Sequence, residues 1–486
     1  MDASQRIGIG HAMRCLALAD AIRDRNTVEF ACRQQQGDLC AQIEQQGYVV
    51  HRLPPPSADA TEASDAEETL AAIRTAAAAS PNWLIVDHYG LGALWHAALR
   101  PHAGRILVID DLADRAHDCD LLLDQNLSPA DAGRYASRVP AGCRVLAGPR
   151  YALLRDEFQR LRGKCRPRTT VQRVLVSFGG ADAANLTERA LAAMSLAPLS
   201  DLQFDVFIGP AFAHAGRIRE LCAALPSVRL WDDPGRLAER MAEADLAIGA
   251  AGSSFWERAC LGLPSIAVPV APNQDYVARR SAAEGAAIVL ALDKFDAATL
   301  AAAVARLTAD PEKLLSMSVR CFDLADGSGA GRVAQLLEQR PVELRRATLS
   351  DAALVYPWRN SERVRRASHD SGALEPARHE EWFRASLAVP ARDLLIAEVG
   401  KVSIGVLRYD VDGPRATVSI YLAPDWIGRG YGAEVLKAGH AWLGVHRPVV
   451  VEVRAEILAE NSNSMSTFLQ AGYRGTTQLM VWSAGR

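Results

Sequence analysis

Short apolar runs alternate along the chain with longer amphipathic stretches, and the apolar runs end in polar or acidic residues. The clearest are "NWLIVDHY" at 82–89, "RILVIDD" at 105–111 and "DLLLDQN" at 120–126. Runs this short, set between helical patterns that begin at Met13, predict buried parallel strands joined by helices. The carboxyl ends of such strands line a ligand crevice, which places Asp87, His88, Tyr89, Asp110, Asp111 and Asn126 where chemistry is expected. The polar stretch at 54–68 reads as a solvated loop entering a helix.

At 162–170 the rhythm breaks in "RGKCRPRTT", a basic, proline-containing linker, and then restarts. "VQRVLVSFGGADAANLTERAL" predicts strand, glycine turn and helix, and "ADLAIGAAGSSFWERACLGLP" repeats the arrangement. Two successive Rossmann-type α/β halves are expected, residues 1–160 and 170–340, whose glycine loops can face each other across a cleft. That is the architecture of the GT-B class of nucleotide-sugar enzymes. Residues 343–486 change character. A strand and helices lead into antiparallel strands with a turn at "VDG", then a loop, a helix, a strand, a helix and a strand, which is the order of an α+β domain.

Composition narrows the function classes. A chain of 486 residues predicts roughly three units. With 49% hydrophobic residues and a formal net charge of −3 at pH 7, it presents no electrostatic case for nucleic acid. No apolar run reaches the about 18 residues of a membrane span, and no signal-peptide pattern is present, so no membrane partner and a cytoplasmic location are expected. The nine cysteines show no metal-ligand spacing and read as buried, reduced thiols, with no metal expected. Oligomeric state is not legible in the sequence.

The glycine loops carry the candidate chemistry. Gly179 and Gly180 free the backbone to approach a phosphate ahead of a helix, and Gly252, Ser253 and Ser254 open another helix on which Glu257 can accept ribose hydroxyls. Plain turns, and a dipole contact for Glu257, are the alternatives. The first loop, "GIGH", brings Gly8 and Gly10 beside His11. Imidazole suits a base that activates water near neutral pH. One turn later Arg14 can meet a phosphate or carboxyl group, or lie on a helix surface. The loop sits almost at residue 1, with no strand ahead of it.

Several ordered motifs, "DASQRIGIGHAMRCLALA", "VDHYGL", "IDDLADR", "LLLDQNL", "SFGGADAANLT", "WERACLGLP" and "APNQ", resemble the UDP-sugar hydrolases of pseudaminic acid biosynthesis over about residues 2–340. The resemblance implies inverting hydrolysis of UDP-2,4-diacetamido-2,4,6-trideoxy-β-L-altropyranose to UDP and free sugar, with His11 as base, Tyr89 and Asn273 positioning sugar and water, and Gln274 at the UDP-sugar site. It also implies a short strand before the "DAS" segment, so the first half is expected to lack its first strand.

Residues 343–486 resemble the GNAT acetyltransferases through "GRGYG" and "AENSNSMSTFLQAGY". This implies acetyl-CoA as cosubstrate, bound by Gly428, Arg429, Gly430, Tyr431 and Gly432 at a helix N-terminus, with Asn461 contacting it, ordering its loop, or capping a helix. Two positions depart from the family: Ile427 replaces a frequent Arg or Gln, and Phe468 replaces a frequent general-acid tyrosine. Tyr473 or water is then the candidate proton donor, and Glu452 and Glu456 are candidate bases unless they form an exposed strand face. The front of this segment resembles the acetyltransferase acting one step earlier in that pathway, which places Trp358, Arg359 and Asn360 by the nucleotide-sugar. The expected function is acetylation of UDP-4-amino-4,6-dideoxy-N-acetyl-β-L-altrosamine followed by hydrolysis of the product. A GT-B glycosyltransferase fused to an unrelated acetyltransferase, and a non-catalytic nucleotide-sugar-binding regulator, are the other readings.

Overall fold

A computed structural model describes residues 10–57, 59–76, 80–126, 133–180, 182–196, 199–209, 212–338, 341–367, 372–458, 461–475 and 479–483. The chain forms two compact units, Met1–Ala334 and Gln335–Arg486. Any strand ahead of Gly10 concerns residues 1–9, outside the described residues.

The first unit begins with helix Gly10–Ile22, whose Leu16 and Ala19 pack with Phe30, Cys32, Cys40, Ile43 and Tyr48. The last five line strand Glu29–Arg33 and its surroundings, where a parallel pair forms with Val49–Leu53. Among the described residues this pair is separate from a four-stranded parallel sheet, ordered Trp83–Val86, Arg105–Ile109, Leu121–Asp124, Arg144–Ala147. Three of these are the strands expected from the apolar runs. Ile106, Leu107, Val108 and Ile109 are all buried, as a strand covered on both faces requires.

Six parallel strands make the next sheet, in the order Ala287–Val289, Ser265–Val268, Leu246–Ala250, Arg173–Ser177, Gln203–Phe207, Val228–Trp231. Its order reverses between the adjacent strands Arg173–Ser177 and Leu246–Ala250, which pair directly. Connections leave these two strands in opposite directions, so their carboxyl ends open a crevice. The loops at those ends are 178–180 and 251–254, the two glycine loops singled out from the sequence.

Gly249 lets the two strands approach. A Cβ there would lie 2.3 Å from the Ser177 carbonyl oxygen. We expect Gly249→Ala to cost about 1–3 kcal/mol by overpacking, seen as a lower melting temperature of the full chain; an unchanged melting curve would show that the strands yield freely.

The basic stretch read as a linker is built into the second half. Ala152, Leu154 and Phe158 already belong to its core. Arg162 Nη1 donates to the Cys260 carbonyl (2.8 Å), and Arg168 donates through Nη2 to Ala242 (2.9 Å) and through Nε to Ala244 (3.2 Å). Those carbonyls lie at or just past the ends of helices Ser254–Cys260 and Leu237–Glu243, where no intrahelical donor remains. The break in pattern suggested a linker; the guanidiniums of Arg162 and Arg168 instead serve as internal caps.

The second unit is a seven-stranded mixed sheet. Glu343–Arg346, Arg392–Val399, Val402–Asp412 and Arg415–Leu422 are antiparallel neighbours, with the expected turn at Gly413 between the last two. Arg415–Leu422 pairs in parallel with Glu452–Glu456, but only from Arg415↔Glu452 to Thr417↔Arg454. Beyond Thr417 no pairing joins the two strands among the described residues, so the sheet opens at their carboxyl ends. Helix Tyr431–His446 starts just after the open end of the first.

Candidate active sites in the two units

His11 and Arg14 stand on the first turns of helix Gly10–Ile22, three residues apart, so both reach the same side. They converge on Asp87, immediately after strand Trp83–Val86. Asp87 Oδ1 lies 2.6 Å from His11 Nδ1, and the carboxylate accepts from Arg14 Nε on Oδ2 (2.6 Å) and from Nη2 on Oδ1 (2.6 Å). All three side chains are buried. Burial alone would raise the Asp87 pKa, but Arg14 and His11 outweigh it and hold the carboxyl well below the usual carboxylate range.

That charge state decides the histidine tautomer. A contact of 2.6 Å to a carboxylate oxygen requires the proton on Nδ1, so the 3.2 Å approach of Arg14 Nη2 to the same nitrogen is donor to donor and not a hydrogen bond. In the neutral ring Nε2 is then left as the acceptor. Arg14, read from the sequence as a phosphate or carboxyl partner, is committed to a carboxylate of its own chain. Its guanidinium is already paired and buried.

Tyr89 packs edge-on against His11, ring centroids 4.6 Å apart, and its hydroxyl accepts from Asn273 Nδ2 at 3.2 Å. Burial pushes the phenol up, so it remains protonated and able to donate. Asp111 Oδ2 lies 3.7 Å from Arg14 Nη1 and accepts from Asn126 Nδ2 at 2.9 Å. Asn126 in turn ties the halves together, accepting from Trp256 Nε1 (2.7 Å) and, through its carbonyl, from Arg280 Nη1 (3.0 Å). Asp110 faces the other way. Tyr135 Oη lies 2.9 Å from Asp110 Oδ2 and 3.1 Å from Asp124 Oδ2. Burial and the neighbouring carboxylate Asp111 push Asp124 up to about 7, so a protonated Asp124 can donate to Tyr135 while Tyr135 donates to Asp110.

The glycine loops close this cleft. A Cβ on Gly10 would sit 3.3 Å from Ser253 Oγ, and one on Gly252 would sit 3.2 Å from Gln274 Nε2, whose Oε1 accepts from Val270 N at 3.0 Å. Gly179 has φ +91°, a conformation that favours glycine, and a Cβ there would face open space. Gly180 instead packs against Gly209. His11, Tyr89, Asn273, Gly10, Gly252, Ser253 and Gln274 are thus brought together, with Gly179 and Gly180 in the loop after the adjacent strand Arg173–Ser177. Ser254 Oγ points inward, accepting from Arg258 Nη1 at 3.3 Å. Glu257 lies 3.9 Å from Arg155 Nη2, and burial raises its pKa. Gly8 lies outside the described residues. Among the described residues no group of His, Cys, Asp and Glu has the arrangement to hold a metal ion.

In the second unit the glycine loop leaves the open end of the sheet. Gly428 has φ +89° and Gly430 φ +82°, the latter in the left-handed cap position ahead of helix Tyr431–His446. Gly432 lets this helix meet helix Ser462–Gln470, since a Cβ there would be 2.8 Å from Thr467 Cγ2. Arg429 Cζ lies 5.4 Å from the Trp426 ring centroid, and the Tyr431 ring is buried against the same tryptophan. The loop therefore offers a ligand the backbone N–H groups at the start of a sixteen-residue helix.

Residues 342–474 match the acetyltransferase (GNAT) domain family, and residues 173–330 match the glycosyltransferase family 28 C-terminal domain. The UDP-2,4-diacetamido-2,4,6-trideoxy-beta-L-altropyranose hydrolase of Campylobacter jejuni is 29% identical over 289 residues, covering 58% of this chain and 95% of that protein. The chain joins a GT-B-like unit to a GNAT domain. Spore coat polysaccharide biosynthesis protein SpsG of Bacillus subtilis is 29% identical over 202 residues, 41% of this chain, and the match spans only 60% of that relative's length. For the fold, the crystal structure of MurG from Acinetobacter baumannii aligns with TM-score 0.51 at 16% identity, over 70% of this chain and 98% of that one.

Within the GNAT domain the structure moves two expected residues away from the open end. Glu452 lies where the two parallel strands are paired, ion-paired to Arg454 Nε (2.6 Å) and Arg415 Nε (3.2 Å). It forms the charged strand face that was the alternative reading, while Glu456, at the other end of the strand, is exposed. Tyr473 is buried, its hydroxyl 3.0 Å from His440 Nε2. Burial lowers His440 to about 4 and raises the phenol, so a neutral imidazole faces a protonated tyrosine inside the core. The aromatic side chain completes packing with Phe468, ring centroids 4.8 Å apart, and is not placed as a proton donor. Asn461 caps helix Ser462–Gln470, accepting from Ser464 N at 3.0 Å. Asn360 is held on the Leu374 backbone, donating to its carbonyl (2.8 Å) and accepting from its N–H (2.8 Å). No helix of the described residues is long and apolar enough to cross a membrane.

What sequence reasoning missed is the partner of His11. Asp87 was placed at the crevice without a role, although an acidic residue at a strand end is the natural orienter for a histidine on a facing helix.

Proposed function

We propose that the chain is a bifunctional nucleotide-sugar enzyme of pseudaminic acid biosynthesis, working in the cytoplasm. Its GNAT domain acetylates the 4-amino group of UDP-4-amino-4,6-dideoxy-N-acetyl-β-L-altrosamine. Its GT-B-like unit then hydrolyses UDP-2,4-diacetamido-2,4,6-trideoxy-β-L-altropyranose to UDP and free sugar with inversion at C1. The observation that carries the hydrolase reading is His11, oriented by Asp87 beside Tyr89 and Asn273 in the cleft between the halves.

His11 Nε2 takes a proton from a water whose oxygen bonds to C1, while the C1–O bond to the diphosphate breaks and its electron pair leaves with UDP. Asp87 stabilises the imidazolium that forms. Tyr89 and Asn273 hold the sugar and the water, and backbone N–H groups of loops 178–180 and 251–254 meet the diphosphate charge. Acetyl-CoA, when bound, supplies the activated acetyl group. The chain's part in that step is to hold its phosphates on the N–H groups of the Gly428–Gly432 loop at the open end of the sheet.

The test supplies the 4-amino UDP-sugar to the full chain with and without acetyl-CoA and follows mass spectrometry and phosphorus NMR. Acetylation that depends on acetyl-CoA, followed by UDP release without an acceptor, is expected. The glycosyltransferase family 28 match over 173–330 favours one second reading, a GT-B glycosyltransferase. Acetylated UDP-sugar that persists until an acceptor is added would establish that reading and end the hydrolase one.

A further inference from the structure

We propose that Arg363 is a phosphate-binding residue of the acetyl-CoA site, contacting the diphosphate from outside the glycine loop. This rests on the reading that the Gly428–Gly432 loop takes acetyl-CoA. A Cβ built on Gly428 would have Arg363 Nη2 as its nearest neighbour, at 4.0 Å, so the guanidinium stands over the loop's backbone with room between them. Arg363 is exposed, and among the described residues nothing accepts from its guanidinium.

Its neighbours show the contrast. In the short helix Glu362–Arg366, Arg366 is paired with Glu362, and Arg365 Nε donates to the Asn360 carbonyl at 3.1 Å. Only Arg363 of this trio is left for the loop. Its position is also fixed: Val364, the next residue, is buried, and Ser361 caps the turn through Val364 N at 3.4 Å.

The loop needs such a cation. Its N–H groups supply partial charges only, Ile427 carries none, and Arg429 lies over the Trp426 ring. A diphosphate held there has acceptor oxygens that a planar guanidinium matches with two parallel donors, which an ammonium cannot do equally well. The charge lost from the loop sequence is thus returned from a segment some 65 positions earlier (428 − 363 = 65).

Isothermal titration of the full chain with CoA and with 3′-dephospho-CoA tests this. Arg363→Ala is expected to weaken both ligands about 10- to 100-fold, with Arg363→Lys restoring part of the loss and the melting temperature of the ligand-free protein unchanged. Equal affinity in wild type and Arg363→Ala overturns the proposal. A loss confined to CoA, with 3′-dephospho-CoA unaffected, also overturns it, because the arginine would then contact the 3′-phosphate. If wild type binds neither ligand, the acetyl-CoA reading itself falls and takes the contact with it.

Discussion

His11→Ala should reduce UDP release from the diacetamido UDP-sugar by about 10²–10⁴-fold, the range for losing a positioned general base, with acetyl-CoA-dependent acetylation unchanged. The variant should fold, because Asp87 keeps both of its hydrogen bonds to Arg14 and only the imidazole contact is lost. Affinity for UDP should also persist, since the glycine loops proposed to meet the diphosphate do not depend on the ring. The useful measurement is therefore a pair of progress curves on one sample, acetylated sugar by mass spectrometry and UDP by phosphorus NMR. Acetylation with almost no UDP would place the base at His11. Undiminished UDP release would remove His11 from the reaction and leave the Asp87 pair as a purely structural ion network.

Asp87→Asn should act on stability as well as on turnover. The substitution leaves Arg14 buried with its charge uncompensated, and breaking a buried pair in this way costs about 3–5 kcal/mol. Because an amide cannot select the Nδ1–H tautomer as a carboxylate does, UDP release should fall too. The pH dependence has a definite sign. Asp87 has a folded-state pKa below its unfolded one, so its contribution is fully present above the ordinary carboxylate value, near 4, and is lost as pH falls through the folded value. Urea unfolding at pH 7 should show the full gap between wild type and variant, and the gap should narrow in acid below about pH 4. A gap that stayed constant or widened in acid would mean that the carboxylate is not what holds Arg14.

The two units differ in how much of their sites could be read along the chain. In the GT-B-like unit the strands at 105–109 and 121–124 were evident because a strand buried on both faces must be continuously apolar. Gly179 and Gly252 stood out as glycine turns ahead of helices; in the structure the first is favoured by its φ of +91° and the second by the nearness of Gln274. Arg14 was legible as a site residue but not by role: its carboxylate partner lies 73 positions away, and only strand order brings the two together. Arg162 and Arg168 misled for a related reason. Basic residues around a proline resemble a linker, and nothing local announces the helix ends they cap.

In the GNAT domain the glycine loop and the Asn461 segment were legible, while the acid and base were not. Glu452 and Glu456 have the same parity on one strand, and parity alone treats them alike. The register from Arg415↔Glu452 to Thr417↔Arg454 separates them, closing the sheet at Glu452 and ending before Glu456. Tyr473 looked available as a hydroxyl near a cofactor motif until the core around His440 enclosed it.

By itself the sequence determined the alternation of strands and helices, the glycine turns and the change of architecture near residue 343, because periodicity and backbone freedom are local properties; the nucleotide-sugar and acetyltransferase characters of the two parts were implied by the resemblance of their motifs to known families. Tertiary structure alone decided that Asp87 would orient His11, that Arg14 would be paired internally, and that the parallel strands would part after Thr417. Those outcomes depend on strand order and on charges meeting in a buried, low-dielectric cleft, where a 2.6 Å contact formed across 76 residues settles both tautomer and charge.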